Sequence, residues 1–246
     1  MPASSRFSPP SGRPLGRAVL VLLVGFAVLC VATVAFGWLV THPLGSAFRG
    51  ENGVNRWFAD QRTSDLTRVA DGGTLIGETL TGAVVLVVLG VAFAVRRRTW
   101  WPIVFVAVLD AGLGLFYLAG TRLDPRQRPP VHILQAGLVP DASFPSGHTG
   151  TATAIGGTAA ALLWAYTRIA KPLLVLLALV PAYTMVSRLY VGAHHVSDVL
   201  TAFVYAGLWL LLCARMLLPS RATPADQPGH QPGEEAGSPS RKSVDR

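Results

Sequence analysis

Six long apolar blocks separated by polar breaks dominate the hydropathy pattern of this chain, covering about residues 17–40, 74–95, 100–120, 146–166, 171–186 and 195–217. Most are close to the roughly 20 residues that a helix needs to cross about 30 Å of hydrocarbon. They are too long for buried strands, and their apolar residues are not confined to one face. The pattern therefore predicts an all-α, polytopic membrane protein with six transmembrane helices in a helical bundle. The short breaks after the second and fourth blocks make those helices antiparallel to the ones that follow.

The breaks themselves differ. Residues 41–72 form a polar excursion in which Val54, Trp57 and Phe58 recur at helical spacing. Two readings of that segment stay open: an amphipathic helix lying at the membrane interface, or a helix that merely caps the loop. Residues 121–146 are the most polar interior stretch. The ends, 1–16 and 218–246, are rich in Pro, Ser and Gly and are expected to be disordered. The first block is long for a signal-peptide core and has no small-residue cleavage site before the next polar stretch, so it is expected to stay as a span.

Composition narrows the class. Only 14% of the 246 residues are charged, against about a quarter in soluble domains, and an ordinary water-soluble globule is excluded. The net charge of +8 does not mark a nucleic-acid binder, because the basic residues sit between the blocks rather than along one stripe. With the N terminus in the cytoplasm, 13 of the 21 Lys and Arg fall on that side, including Arg96, Arg97 and Arg98. The positive-inside rule then places both termini in the cytoplasm and the 41–72 and 121–146 loops outside. Cys30 and Cys213 lie inside apolar blocks, with no zinc spacing and no expected disulfide.

Ionisable residues gather on the outer face, at or just inside the block ends, where they are costly and point to function. In Pro145-Ser146-Gly147-His148, Ser146 suits an N-cap, Gly147 allows close approach to the backbone, and the new helix start offers free N–H groups to an anion. Asp198 follows His194 by four residues, so on a helix the two share a face. A carboxylate there fixes the imidazole tautomer and leaves the other nitrogen as a nucleophile. His195 is the alternative nucleophile, though a polar residue at the membrane boundary is its plainer reading. Arg188 and Arg128 each bring a guanidinium fork suited to phosphate oxygens. Two arginines, a helix start and two histidines suit phosphoryl transfer with no cofactor and no metal.

These residues resemble the motifs of the type 2 phosphatidic acid phosphatase superfamily, which includes lipid phosphatases, bacterial acid phosphatases and vanadium haloperoxidases. The family's Pro-Ser-Gly-His motif is complete at 145–148. Its Ser-Arg, five residues, His, three residues, Asp motif is complete at Ser187, Arg188, His194 and Asp198. Its first motif, Lys, six residues, Arg-Pro, survives as Arg128-Pro129, but Thr121 stands where the family has Lys. The resemblance implies that His194 is the nucleophile forming a phosphohistidine, Asp198 its orienting partner and His148 the general acid. It implies further that Arg128, Arg188, Ser146 and the Gly147 N–H hold the phosphoryl group. Arg122 and Arg126 are the candidates to replace the charge lost at Thr121.

The six blocks match the lipid-phosphatase branch rather than the soluble haloperoxidases. The expected organisation is a membrane phosphatase domain over 17–217 in a bacterial plasma membrane, with 121–146 as its catalytic loop and the site on the extracytoplasmic face. The expected substrate is a membrane lipid phosphate or diphosphate, with a polyprenyl-(di)phosphate or related envelope lipid first. Phosphatidic acid and phosphatidylglycerol phosphate are alternative substrates. A lipid phosphotransferase and a non-catalytic lipid-binding protein remain as alternative functions.

Overall fold

A computed structural model describes residues 9–167 and 171–220. Most of both expected disordered tails, and the 168–170 turn, lie outside the described residues. Residues 9–14 precede the first helix, and Ser11 Oγ donates to the Met216 carbonyl at 2.7 Å.

The described residues form nine helices: α1 (Leu15–Thr41), α2 (Gly45–Phe48), α3 (Glu51–Asp60), α4 (Ser64–Gly77), α5 (Thr79–Arg97), α6 (Trp101–Leu123), α7 (Gly147–Tyr166), α8 (Lys171–Val191) and α9 (Val196–Leu217). Five of them, α1, α5, α6, α8 and α9, are long and apolar enough to cross a membrane. The fourth block forms its helix, α7, but misses that threshold because its first half is Gly-, Thr- and Ala-rich.

The placement of α7 accounts for this composition. It packs against α4, α5, α6, α8 and α9, and of its side chains only Trp164 is exposed. Small residues let the surrounding helices approach closely, as in membrane interfaces generally. A Cβ on Gly156 would lie 2.5 Å from the Leu177 carbonyl oxygen of α8. By contrast α1, on the bundle's outside, exposes Leu20, Leu23, Val28 and Val31. Similar apolar faces on α5, α8 and α9 are exposed, which water would penalise and hydrocarbon would not.

Close contacts fix the direction of each long helix. Gly37 near the end of α1 meets Asp124 after α6, Gly77 before α5 meets His148 of α7, and Gly120 of α6 meets Pro145. The Ser146 N–H donates to the Asp198 carbonyl at 3.3 Å, and α8 ends beside the same region. The other pole joins Ala18 and Leu22 to Leu217, and Phe93 to Tyr166. The six long helices thus alternate in direction, with one pole carrying the 42–78, 124–146 and 192–195 segments. Between the poles, Phe26, Phe116, Tyr205 and Trp209 form the aromatic core, and the Trp209 indole donates to the Leu109 carbonyl.

The polar excursion is more ordered than a loop. The amphipathic segment is α3, which turns Asn55 inward and leaves Val54 and Trp57 exposed. Residues 64–77 form α4, which the hydropathy pattern divided between a loop and the second block. Thr63 caps it by accepting from the Leu66 N–H at 3.3 Å, and Asp65 lies in its first turn. Hydroxyls tie α4 to α8: Ser187 Oγ donates to the Ala70 carbonyl at 2.6 Å, Thr184 Oγ1 to the Gly73 carbonyl at 3.1 Å, and Tyr183 to the Val69 carbonyl. The second long helix therefore begins at Thr79, after a break at Glu78, and not at Thr74.

Candidate active site

The 124–146 segment folds back on itself. The Arg126 N–H donates to the Asp141 carbonyl at 2.8 Å and the Ser143 N–H to the Arg126 carbonyl at 3.0 Å, with Arg128 N–H reaching Pro140 at 3.2 Å. This pairing sets Arg126 and Arg128 beside Ser143 and the start of α7. Thr121 and Arg122 belong to α6 and not to this loop.

His194 lies in the turn between α8 and α9, ahead of the helix rather than on one face of it. Its Nδ1 is 2.7 Å from the Ser143 carbonyl oxygen, an acceptor, so Nδ1 carries the proton and Nε2 keeps its lone pair. Asp198, on the first turn of α9, stands 3.8 Å from the same Nδ1. The carbonyl, more than the carboxylate, fixes the ring. Asp198 instead organises the support: Oδ2 accepts from Ser143 Oγ at 2.6 Å and the His195 N–H at 2.8 Å, and Oδ1 from Arg126 at 2.5 Å. The Asn55 amide holds the His194 carbonyl at 2.9 Å. Burial pushes His194 below the ordinary imidazole value; Asp198 opposes this, and the charges of Arg188 and Arg128 add to it.

The anion donors converge from three elements. Arg188, at the end of α8, is fully buried. Its Nη1 donates to Thr74 at 2.9 Å and its Nη2 to Gln135 at 2.6 Å, while the buried Nε has no hydrogen-bond partner among the described residues. Arg128 is pinned by carbonyls, donating to Val139, Ala193 and Ala142 at 2.9, 2.7 and 3.1 Å. Those bonds use three of its five N–H groups and leave two for a ligand. Burial also lowers Arg128 from its ordinary value. Ser146 is the expected N-cap of α7, its Oγ accepting from the Thr149 N–H at 3.4 Å and from Thr149 Oγ1 at 3.1 Å. Its own hydroxyl hydrogen stays available beside the Gly147 N–H.

His148 stands on the first turn of α7. A Cβ on Gly77 would meet the His148 Cβ at 2.7 Å and its carbonyl oxygen at 2.9 Å, so glycine is required where the α4–α5 junction presses on this residue. The buried Nε2 of His148 has no hydrogen-bond partner among the described residues and lies 3.4 Å from the Glu78 carboxylate.

The two candidates for replacing the missing Lys separate cleanly. Thr121 turns its hydroxyl back to the Tyr117 carbonyl at 2.9 Å. Arg122 is exposed and makes no hydrogen bond or ion pair with the described residues of the site. Arg126 reaches the site's back wall, but its charge is taken up by Asp198 at 2.5 Å and Glu51 at 3.5 Å. His195 is also turned away, its Nε2 at 3.2 Å from the Gln127 carbonyl. Sequence reasoning missed Thr74, Glu78, Gln135, Ser143, Glu51 and Asn55, which reach the site from distant parts of the chain.

Comparisons with known proteins bear on the family likeness and on the fold. Residues 118–221 match the family model of the PAP2 superfamily. The crystal structure of a transmembrane PAP2-type phosphatidylglycerolphosphate phosphatase from Bacillus subtilis shares the fold, with a TM-score of 0.61 at 23% identity. That match covers 79% of this chain and 92% of the other. A search of curated proteins finds no match. The region similar to the PAP2 superfamily contains Thr121, Arg128, Ser146, His148, Arg188, His194 and Asp198.

Proposed function

We propose that the protein is a metal-independent lipid phosphatase acting through a phosphohistidine. The observation that carries this is His194: Nδ1 is spent on the Ser143 carbonyl, and the charges of Arg188 and Arg128 bear on the same ring. A phosphoryl group held by these two guanidinium groups, the Ser146 hydroxyl and the Gly147 N–H presents phosphorus to Nε2. The Nε2–P bond forms as the P–O bond to the lipid breaks, and His148 gives its proton to the leaving oxygen. Water then attacks the phosphohistidine, His148 takes a proton from it, and inorganic phosphate leaves. Donors fixed before the reaction stabilise the charge that develops on the equatorial oxygens.

We place α7 as a sixth span, both termini in the cytoplasm, and the site at the extracytoplasmic face of a bacterial plasma membrane. The alternating helix directions and the basic residues at the opposite pole, Arg17, Arg96, Arg97, Arg98 and Arg215, support this reading. A site at helix ends suits a phosphate at headgroup depth whose lipid chains stay in hydrocarbon. A polyprenyl-(di)phosphate or related envelope lipid remains the first substrate class to test.

Phosphate release by detergent-solubilised protein in EDTA decides the matter. The panel holds a polyprenyl phosphate, a polyprenyl diphosphate, phosphatidic acid and phosphatidylglycerol phosphate. Wild type should release phosphate from at least one, and His194→Ala should lose about 10⁴-fold in turnover. Equal inertness of both proteins across the panel would overturn the enzymatic reading.

A further inference from the structure

We infer that Glu78 makes this site selective for lipid phosphomonoesters over lipid diphosphates. The inference rests on the phosphatase reading above and concerns the side of the site from which the leaving group departs.

Glu78 occupies the break between α4 and α5. It stands at the N-cap position of α5, yet its side chain makes no capping bond. Instead, its Oε1 accepts from Gln135 Nε2 at 3.2 Å and faces His148 Nε2 at 3.4 Å. Gln135 also accepts from Arg188 at 2.6 Å, so one amide links the phosphate-binding guanidinium to the carboxylate. Gly77 brings this junction against His148. A negative charge is therefore built in where His148 meets the leaving oxygen.

The consequences differ for the two lipid classes. When a monoester is cleaved, the leaving oxygen takes a proton from His148 and departs as a neutral alcohol. When the terminal phosphate of a diphosphate is transferred, the Nε2–P bond forms and the bridging P–O bond breaks. The leaving group is then a lipid monophosphate, an anion beside Glu78. Among the described residues, none of the candidates for a third cation offsets the repulsion: Thr121 carries no charge, Arg122 is exposed, and Arg126 is paired with Asp198 and Glu51. For charges roughly 6 Å apart at an effective dielectric constant of about 40, like-charge repulsion corresponds to about a ten-fold effect.

The test compares matched lipids, diacylglycerol phosphate and diacylglycerol diphosphate, with wild type, Glu78→Gln and Glu78→Ala. The measured quantity is the ratio of kcat/KM for the diphosphate to kcat/KM for the monoester, which cancels effects common to both substrates. Glu78→Gln keeps the size and the hydrogen-bonding oxygen and should raise that ratio about ten-fold; Glu78→Ala should raise it in the same direction. A ratio within two-fold of wild type in both variants, or a shift the other way, would overturn the inference. His194→Ala, run in parallel, separates the two proposals: activity that survives it defeats the phosphohistidine reading, whatever Glu78 does.

Discussion

His194 and His148 belong to one cluster of charges, but their surroundings are finished to different degrees. His194 has its Nδ1 on a backbone carbonyl, its own carbonyl on Asn55, and Asp198 tying Ser143, His195 and Arg126 together behind it. His148 has a buried Nε2 without a hydrogen bond and a partly exposed carboxylate 3.4 Å away, and the neighbouring Arg188 Nε is also unpartnered. Buried polar atoms left open are expensive. The difference teaches a division of labour. A nucleophile has to be held in one tautomer and orientation before substrate arrives, so the fold bonds His194 directly at both its Nδ1 and its own carbonyl. The acid and the anion-binding nitrogens are completed by the ligand itself.

The largest way to break this contrast is to open the closed side. Arg126→Ala leaves the Asp198 carboxylate, which has no exposed surface, without its cation. Removing one partner of a buried ion pair costs about 3–5 kcal/mol. Detergent-solubilised Arg126→Ala should therefore show a markedly lower thermal midpoint together with reduced turnover, and an unchanged midpoint would remove Asp198 from its supporting role.

On the open side a smaller effect is expected. Gly77→Ala puts a methyl against His148, and displacing a catalytic group by about 1 Å can cost about 100-fold in rate. The loss in kcat should come with a lower thermal midpoint, because the methyl also meets backbone atoms of His148. A lower midpoint with kcat unchanged would mean that the junction serves packing alone.

Protonation sharpens the comparison without a mutation. With burial holding His194 low, ¹⁵N-histidine spectra at about pH 6 should show a larger neutral fraction than an ordinary imidazole near 6.5 has there, with the neutral ring's proton on Nδ1. Because its folded value is depressed, neutral His194 supports the fold above about pH 6.5, and that contribution is lost as pH falls towards the folded value. A ring that is charged at pH 6 would contradict the closed surroundings. The smallest effect belongs to Arg122→Ala, which should leave kcat and KM within about two-fold, since the side chain is exposed and outside the network.

Much of this division could be read in the sequence on one side only. His194, Asp198, Arg188, Arg128, Ser146 and His148 stand at spacings that mark them, and Ser146 does end up as a helix N-cap, whereas the N-cap place of His195 on α9 was not foreseen. The six long helices followed from apolar runs, though α5 starts at Thr79 rather than Thr74 and α8 runs past 186 to Val191; they include α7, whose Gly and Thr content lowers its hydropathy because other helices surround it. The supporting residues were not legible. Glu78 and Thr74 reach Gln135 and Arg188 across 57 and 114 positions, and Asn55 reaches His194 across 139. No local period reports such pairings. The α4 helix did leave a trace, in the Thr63 cap and Asp65, but its polar face hid it among loop residues. Its inward side is stitched to α8 by hydroxyls, not by an apolar stripe.

The central claim is that His194 Nε2 takes the phosphoryl group, and trapping that bond tests it most directly. Wild type and His194→Ala would be mixed with ³²P-labelled lipid phosphate, quenched in alkali within a single turnover, and mapped by mass spectrometry. The account predicts a base-stable, acid-labile phosphate on His194 that forms and decays within the turnover, and none in the variant. Inorganic phosphate released by wild type with no labelled protein at any time, or equal labelling of His194→Ala, would contradict it.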